Sequence, residues 1–453
     1  MKSTLSSLAL MSLALFPALG AAQAKAFNPL ETFTRSIASP SYVEGEVLVK
    51  LKAGARLPER GVQAIFPGLD VQLEEQILTA AMRTVGEQTG VLVLRTTRPV
   101  PEMIELLKAD PRVEVAEPNF IVQTQQANDT HYVNGNLWGV YGKETTPQNI
   151  FGVGAAHSWS RGYIGQGNVI VGVIDEGILA THEDLQGQIW VNPFEPVDGI
   201  DNDGNGFVDD NLGWDFYNND RTTYDDVGDN HGTHVAGTIG AKGNNGIGVA
   251  GVSWSVKMIP IKFLQNSGST ANAIKSFDYL TDLKTRHGLN IVASNNSWGG
   301  GGFSQTLKDA ITRCEQANIL TVCAAGNNGR NTDTQPFYPS CYDNVSIISV
   351  ASITNTGARS SFSNYGAVTV DIGAPGSGIW STVPGTGDTS AYASYNGTSM
   401  ASPHMTGVLA LLAATEPGLN GLRLKDRLLR RGTPTTTLAG ITMTGNRANG
   451  FIR

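Results

Sequence analysis

The sequence predicts an α/β protein in which a doubly wound, mostly parallel sheet follows a small α/β domain. From about residue 128, short apolar runs alternate with helical segments, as in a parallel sheet that helices cover on both faces. Residues 45–123 contain alternating strand patterns and one helical segment, and the polar stretch 124–130 resembles an exposed, cleavable linker. The chain of 453 residues is long enough for both domains.

The composition argues against two broad classes of protein. Hydrophobic residues make up 40% of the chain, so the chain as a whole can form a core and is not disordered. The 32 basic and 40 acidic residues give a net charge of −8, whereas nucleic-acid binding needs a basic surface.

The N-terminus has the three parts of a secretory signal peptide. Lys2 supplies the positive charge, residues 5–20 are mostly apolar, and Ala22-Gln23-Ala24 is a small-residue cleavage site. The alternative is a membrane anchor, which the serines and Pro17 within the apolar stretch disfavour. No later segment reaches the ~18 apolar residues of a spanning helix. We expect residues 1–24 to be removed and the rest to be exported, extracellular or periplasmic, without membrane association.

The small domain is predicted from four segments. Residues 46–52 alternate in polarity as a half-buried strand does, and 91–94 and 113–115 give further strands. Residues 103–108 have helical spacing.

The large domain is predicted from longer apolar runs with helices between them. The chemistry of such sheets lies beyond the carboxyl ends of the strands. The predicted strands are 169–174, 257–264, 290–293, 319–325 and 345–353, and the predicted helices include 271–287, 305–318 and 408–414.

Three segments carry candidate catalytic groups. Asp175 ends a buried strand, where a carboxylate is costly without a partner, although a simple helix cap is the alternative. His231 and His234 lie three apart, whereas a zinc helix has its histidines four apart with a Glu between them. Ser399 lies at the start of an apolar helix, where backbone N–H groups favour negative charge. An ordinary helix cap would also explain Ser399.

A fourth segment, 324–329, ends another apolar strand and offers the amide of Asn327. Acyl transfer needs a nucleophile, a base, a group that orients the base and donors for the oxyanion. All four roles thus have a candidate.

The combination resembles the subtilisin-like serine proteases. The sequence has Asp-x-Gly at Asp175, His-Gly-Thr-His-Val-Ala-Gly at His231 and Gly-Thr-Ser-Met-Ala-x-Pro at Ser399, in the family's order. Residues 296–300 resemble its substrate-binding strand, and the resemblance spans about 128–453. Glu176 departs from the pattern, since the family usually has a small or hydroxylated residue there, and this affects the expected pH behaviour.

The resemblance implies a role for each matched residue. Ser399 attacks the peptide carbonyl, His231 takes its proton, Asp175 holds the imidazolium, and Asn327 with the Ser399 N–H binds the oxyanion. Phe337 is expected near the floor of the pocket for the residue before the cut. The residues expected to line that pocket and pair with the substrate backbone are Ser297, Trp298, Gly299, Ala324, Ala325 and Gly326.

Residues 45–123 resemble the inhibitor-like propeptide of the same family, including the ending 110–119. The implied organisation is a signal peptide at 1–24, a linker and propeptide at 25–127, and a peptidase domain at 128–453. The protein is expected to be a monomer that is made as a zymogen and cuts itself within residues 124–128. Its partners are protein and peptide substrates and its own propeptide.

One or two structural calcium sites are expected, and no organic cofactor. One acidic, Gly-rich loop begins like a helix-loop-helix calcium loop but has Leu212 in place of the twelfth-position Glu, and it is closer to a calcium-binding insertion of some subtilisin relatives. A solvated acidic turn is the alternative. A second set of residues resembles the family's strong calcium site. The expected ligands are Asp201, Asp203, Asn205, Asp209 and Asp210 in the first site, and Asp129, Asp184, Asn245, Ile247 and Val249 in the second.

The cysteines are Cys314, Cys323 and Cys341, which permit one disulfide and one free thiol in an exported chain. They lack metal-site spacing. Cys323 and Cys341 are the expected pair, because Cys314 falls inside an amphipathic helical stretch.

Two rival functions remain at this stage. A catalytically silent family member would act as a binding or chaperone protein, which the intact Asp175, His231, Ser399 and Asn327 disfavour. A serine esterase of the α/β-hydrolase type would need Gly-x-Ser-x-Gly and the order Ser, Asp, His, whereas Ser399 lies last and in another motif.

Overall fold

A computed structural model of the chain describes residues 42–55, 57–58, 61–120 and 127–452. The chain divides into two compact units, residues 1–123 and 124–453. The predicted signal peptide 1–24 and most of the predicted cleavage stretch 124–128 lie outside the described residues. Within the described ranges, none of the helices combines the length and apolar character needed to cross a bilayer.

The first unit is a four-stranded antiparallel sheet with a helix packed on it. The sheet has the order β2-β3-β1-β4. Helix α2 buries four residues at the helical spacing 0, 3, 4, 7 against this sheet, which explains why its amphipathic sequence folds there. The elements are β1 Tyr42–Leu51, β2 Gln72–Ile77, α1 Ala80–Thr84, β3 Val91–Arg95, α2 Val100–Lys108 and β4 Val113–Phe120.

The second unit contains the remaining elements. Its strands are β5 Ile170–Asp175, β6 Trp214–Asp215, β7 Lys257–Lys262, β8 Ile291–Asn296, β9 Leu320–Ala324, β10 Ile347–Ile353, β11 Ile372–Pro375, β12 Ile379–Gly385, β13 Thr389–Tyr395, β14 Thr433–Pro434 and β15 Asn446–Arg447. Its helices are α3 Thr130–Val133, α4 Ala155–Trp159, α5 Asn230–Gly240, α6 Thr270–His287, α7 Gln305–Gln316, α8 Thr398–Thr415 and α9 Gly421–Arg430.

Nine of these strands form one sheet in the order β14-β15-β11-β10-β9-β8-β5-β7-β6. Every neighbouring pair from β15 to β6 is parallel, and only β14 runs antiparallel to its neighbour. Strands β12 and β13 form a separate hairpin. The predicted α/β class with a mostly parallel sheet is confirmed.

Helices cover both faces of this sheet. In β5, Val171 and Val173 join the core formed with α5 and α8, whereas Ile170 and Ile174 join the core formed with α6 and α7. Successive strand residues point to opposite faces, so a strand buried on both faces must be apolar throughout. That requirement explains the continuous apolar runs in the sequence.

The sheet places four strand ends at one edge. Because β5, β7, β8 and β9 are parallel neighbours, Asp175, Lys262, Asn296 and Ala324 all end strands at the same side. Every candidate catalytic group lies at this edge or on the chain that follows it.

The predicted disulfide between Cys323 and Cys341 is wrong for this structure, in which all three cysteines are free. Cys314 is buried in α7, where its sulfur lies 3.1 Å from Thr281 Oγ1 and 3.3 Å from the Phe277 carbonyl. Cys323 Sγ contacts the Thr321 carbonyl at 3.9 Å, and Cys341 Sγ contacts Ser340 Oγ at 3.8 Å. Each thiol therefore has a polar partner other than a second sulfur.

Candidate active site

Asp175 and His231 form a short hydrogen bond at the carboxyl edge of the sheet. Asp175 is the last residue of β5, and His231 is the second residue of α5. His231 Nδ1 lies 2.7 Å from Asp175 Oδ1, which also accepts the Glu176 N–H at 2.9 Å. With Nδ1 engaged, the imidazole can present Nε2 to a reacting group.

The electrostatic surroundings favour a protonated His231. Burial lowers the pKa of this imidazole, but the charge and hydrogen bond of Asp175 and the charge of Glu176 outweigh it, so the pKa lies above its ordinary value. Burial and the charge of Asp175 raise the pKa of Glu176 to about 7. The charges of Asp175 and Glu176 therefore both act on the His231 imidazole.

Ser399 lies in the first turn of α8, beside β8. Its Oγ donates to the Ser297 carbonyl at 3.0 Å, and Ser297 Oγ donates to the Ser399 carbonyl at 2.8 Å. These two bonds fix the start of α8 against the end of β8. No hydrogen bond joins Ser399 to His231 in the described structure, so the hydroxyl must rotate away from Ser297 to reach the imidazole. Catalytic hydrogen bonds are often loose before substrate binds.

Asn327 and the start of α8 provide two N–H donors near one point. Asn327 Oδ1 accepts both the backbone N–H and the hydroxyl of Thr398 at 2.9 Å, which orients the amide and leaves Nδ2 as its donor. A Cβ built on Gly397 would lie 3.6 Å from Asn327 Nδ2 and 3.5 Å from Ser399 N. The two donors thus flank Gly397, and a side chain there would enter the space between them.

The two predicted pocket walls meet around Phe337. A Cβ built on Gly299 would lie 2.3 Å from Phe337 Cε1, and one built on Gly326 would lie 3.0 Å from Phe337 Cδ1. Gly326 also has a φ of 101°, which favours glycine. Only glycine fits at these positions, so the ring of Phe337 closes the space between the walls.

The remaining predicted pocket residues differ in exposure. Ser297, Ala324 and Ala325 are buried, whereas Trp298 is partly exposed and packs on Phe263 with ring centroids 4.7 Å apart. Asp175, Glu176 and His231 share a cleft of about 470 Å³ with Ser297–Gly302 and residues 263–270. An extended chain could lie in a cleft of this kind.

The acidic loop has a different centre from the one predicted. Oxygen atoms of Glu195, Asp203 and Asp210 lie within 4.8 Å of one another. Asp201 is turned to the loop backbone, where it accepts the N–H groups of Gly204, Asn205 and Gly206. Asp209 Oδ1 likewise accepts the N–H groups of residues 198 and 199. Asn205 stays close, since its amide donates to Asp210 Oδ2 at 2.9 Å.

Sequence reasoning did not single out Glu195. This residue is 1% exposed, and it accepts backbone N–H groups of residues 202, 203 and 209. It lies six residues before the acidic loop, outside the ten-residue window in which the acids are concentrated. An isolated Glu between Phe194 and Pro196 was the available signal.

The second predicted cation site brings its residues together. Asp129 and Asp184 are fully buried. Asp184 accepts the Asn245 amide and the Val249 N–H, each at 2.8 Å, while Asp129 accepts the Asn244 N–H at 2.9 Å. Ile247 is in the same loop, and its N–H donates to Asn245 Oδ1. Burial, with the nearby charge of Asp184, raises the pKa of Asp129 to about 6.

Comparisons with known families agree for both units. The model of the subtilase family matches residues 166–444, and the model of the fervidolysin N-terminal prodomain matches residues 33–119.

Curated relatives and a solved structure extend this similarity. Subtilisin DY from Bacillus licheniformis is 37% identical over 292 residues, which are 64% of this chain and 92% of that protein. The extracellular basic protease of Dichelobacter nodosus is 35% identical over 377 residues, 77% of this chain and 60% of that protein. A solved protease structure from Pseudoalteromonas arctica has 25% identity and a TM-score of 0.56, covering 72% of this chain and 98% of that one.

Proposed function

This chain belongs to the subtilase family of serine proteases and carries a prodomain, and from that premise we propose that it is a secreted, self-processing endopeptidase. Asp175, His231 and Ser399 are its proposed catalytic triad. The observation that carries the proposal is the 2.7 Å bond between Asp175 and His231 at the same sheet edge as Ser399.

The proposed reaction proceeds through an acyl-enzyme. The Ser399 hydroxyl, released from Ser297, gives its proton to His231 Nε2 while Oγ attacks the peptide carbonyl carbon. The Asp175 carboxylate stabilises the imidazolium that forms. The carbonyl oxygen becomes an oxyanion, which accepts hydrogen bonds from Asn327 Nδ2 and the Ser399 N–H. His231 then protonates the leaving amine, and water repeats the sequence to release the acid.

Substrate is proposed to bind as an extended strand along Ser297–Gly299 and Ala324–Gly326. Main-chain hydrogen bonds to a strand edge give affinity without demanding a particular sequence. Phe337 limits the side chain accepted just before the cut. This arrangement supports proteins and peptides as the substrate class.

Calcium is proposed to stabilise both acidic sites, and the residues fit such an ion. Glu195 and Asp210 are buried, and the side chain of Asp203 is 1% exposed. Within the described ranges no lysine or arginine forms an ion pair with any of them, and the cationic partner that does lie near is His287, with Nε2 3.3 Å from Asp203 Oδ2. Buried carboxylates need a positive partner, and oxygen donors of this kind suit a hard cation. At the second site, Asp129 and Asp184 with Asn245 offer oxygen donors, and Ile247 and Val249 are the proposed carbonyl ligands.

The test of the proposed function is Ser399→Ala, with a serine-directed phosphonylating reagent as a second readout. We expect the wild type to hydrolyse a denatured protein mixture and to incorporate the reagent at Ser399 alone. The variant should lose both properties with unchanged circular dichroism. Wild-type turnover in Ser399→Ala would exclude the proposed mechanism.

A further inference from the structure

Lys262 is a buried lysine that the proposed reaction does not use. Its side chain is 0% exposed, although lysine is almost never fully buried without a partner. It is the last residue of β7, and it lies opposite Asp175 in the parallel pairing of β5 with β7. Its backbone is therefore adjacent to the strand end that carries the proposed catalytic acid.

The ammonium group joins two segments that flank the Asp175–His231 bond. Nζ donates to the Glu176 carbonyl at 2.5 Å and to Asp229 Oδ1 at 2.7 Å. Glu176 directly follows Asp175, and Asp229 directly precedes α5, in which His231 is the second residue. One side chain thus holds the backbone next to each partner of the pair.

The surroundings leave little room for these segments to move. Asp229 is fully buried, and its second oxygen accepts the Asp225 N–H at 2.7 Å. A Cβ on Gly177 would lie 2.6 Å from the Thr223 carbonyl and 3.4 Å from Lys262 Cδ. The lysine stem and the loop before α5 are therefore packed directly against the chain that leaves β5.

We infer that Lys262 is a positioning residue that fixes the geometry of Asp175 and His231. A buried ion pair is a poor source of stability, because desolvation of both charges offsets their attraction. Its value here is geometric, since a displacement of about 1 Å in a reacting group can cost about 100-fold in rate. This inference rests on the proposed roles of Asp175 and His231.

The test uses the double variant Lys262→Met/Asp229→Asn in the full-length protein. Lys262→Met alone leaves the fully buried Asp229 charge unpaired and could prevent folding, so the double variant removes both buried charges. Asp225, whose Oδ2 also lies 3.5 Å from Nζ, is partly exposed and stays in contact with water. We expect kcat to fall about 10- to 100-fold, the cost of a displacement of up to about 1 Å at the reacting groups, with KM within about twofold. The acidic limb of the kcat/KM–pH profile should also shift, because it reports the contact of His231 with Asp175.

The matched control is Lys284→Met. Lys284 also bonds backbone carbonyls, those of Ile291 and Asn318, but Ile291 begins β8 and so lies at the opposite sheet edge. This variant should change the melting temperature and leave kcat and the pH profile unchanged. Lys262→Arg, which keeps the charge, should retain more activity than the double variant.

A folded double variant with wild-type kcat and pH profile would overturn the inference while leaving the triad intact. Hydrolysis by the Ser399→Ala variant at the wild-type rate would instead overturn the proposed function. The two failures are therefore distinguishable.

Discussion

Glu176 Oε2 accepts the backbone N–H of His231 at 3.1 Å. The proposed base, His231, therefore contacts two carboxylates: Asp175 is hydrogen-bonded to its ring, and Glu176 accepts its backbone N–H. Glu176 is also the residue at which the sequence departs from the subtilisin-like motif around Asp175. Since the pKa of Glu176 is about 7, the charge of this second carboxylate changes near neutral pH.

We predict that Glu176→Gln extends activity to lower pH. An ionised Glu176 favours the protonated imidazole, whereas the reaction needs the neutral one, so removal of this charge lets His231 lose its proton at lower pH. Because Glu176 has a pKa of about 7 and is largely neutral at pH 6, the gain should appear near pH 7, where kcat/KM relative to its plateau should rise about twofold. Glu144→Gln is the control, because Glu144 lies near His157, which has no proposed catalytic role. An acidic limb that stays in place or moves upward in Glu176→Gln contradicts the prediction.

We predict that Asn327→Ala lowers kcat about 100- to 1000-fold with little change in KM. This is the usual cost of removing one oxyanion donor, a magnitude known from this family. Asn328→Ala is the matched control, since the Asn328 backbone N–H, which the substitution keeps, donates to Asn364 Oδ1. Steady-state kinetics on one peptide substrate would measure both. An equal loss in the two variants would assign the effect to the loop rather than to the donor.

The sequence predicted the parallel sheet well because its strands are buried on both faces. The predicted bounds of β5, β7, β9 and β10 lie within two residues of the observed bounds. The predicted β8 ends at residue 293, whereas the observed strand extends to Asn296. Strands β2, β6, β11, β14 and β15 and the hairpin β12–β13 were not predicted. β2 exposes four of its six residues, so it lacks the pattern that a buried face imposes.

The site was predicted less completely where contacts join distant segments. Asp175, His231, Ser399 and Asn327 stand in recognisable motifs. Glu195 and Lys262 act through neighbours that are distant in sequence, such as Asp209 and Asp229, and a single sequence contains no record of those neighbours. The same holds for the acidic loop. Asp201 and Asp209 accept backbone N–H groups of the loop, whereas Asp203 and Asp210 share a centre with Glu195, and the sequence does not show which N–H groups each carboxylate contacts.

We predict that Phe337→Ala broadens the residues accepted before the cut. The ring lies between Gly299 and Gly326, so its removal opens the space between the two walls. In the variant, kcat/KM for substrates with Phe or Leu before the cut should rise about tenfold relative to kcat/KM for substrates with Ala at that position. A hydrophobic pocket discriminates between such side chains by about 10- to 200-fold per group. A cleavage profile on a peptide library would measure this. Unchanged selectivity would mean that Phe337 does not contact the substrate side chain.

We predict that maturation depends on Ser399. The wild type should yield a species that starts near Asn128, whereas Ser399→Ala should remain a precursor of residues 25–453. The second unit holds the chain from Ala127 onward, because Ala127 is buried and Asn128 Oδ1 accepts the Gly246 N–H at 2.8 Å. N-terminal sequencing after expression would locate the cut. The same cut in purified Ser399→Ala would assign it to another protease.

Calcium removal should lower the melting temperature and hasten self-digestion. Binding to the folded state alone stabilises by RT ln(1 + [L]/Kd), about 2.7 kcal/mol at a hundredfold excess over Kd. In a domain of this size that corresponds to about 5 °C or more. Calcium should restore stability more effectively than magnesium, which accepts fewer protein ligands.

Glu195→Gln tests the position of the loop site. Glu195 shares a buried centre with Asp203 and Asp210, so the variant should lose part of the calcium-dependent shift in melting temperature and retain the triad. Asp198→Asn is the matched control, because Asp198 is exposed and its Oδ1 accepts the Ile200 N–H within the same loop. Differential scanning calorimetry with and without chelator would compare the two in a Ser399→Ala background, where self-digestion is absent. An equal calcium response in Glu195→Gln and the parent would mean that the ion binds elsewhere and that this acidic loop is a solvated turn.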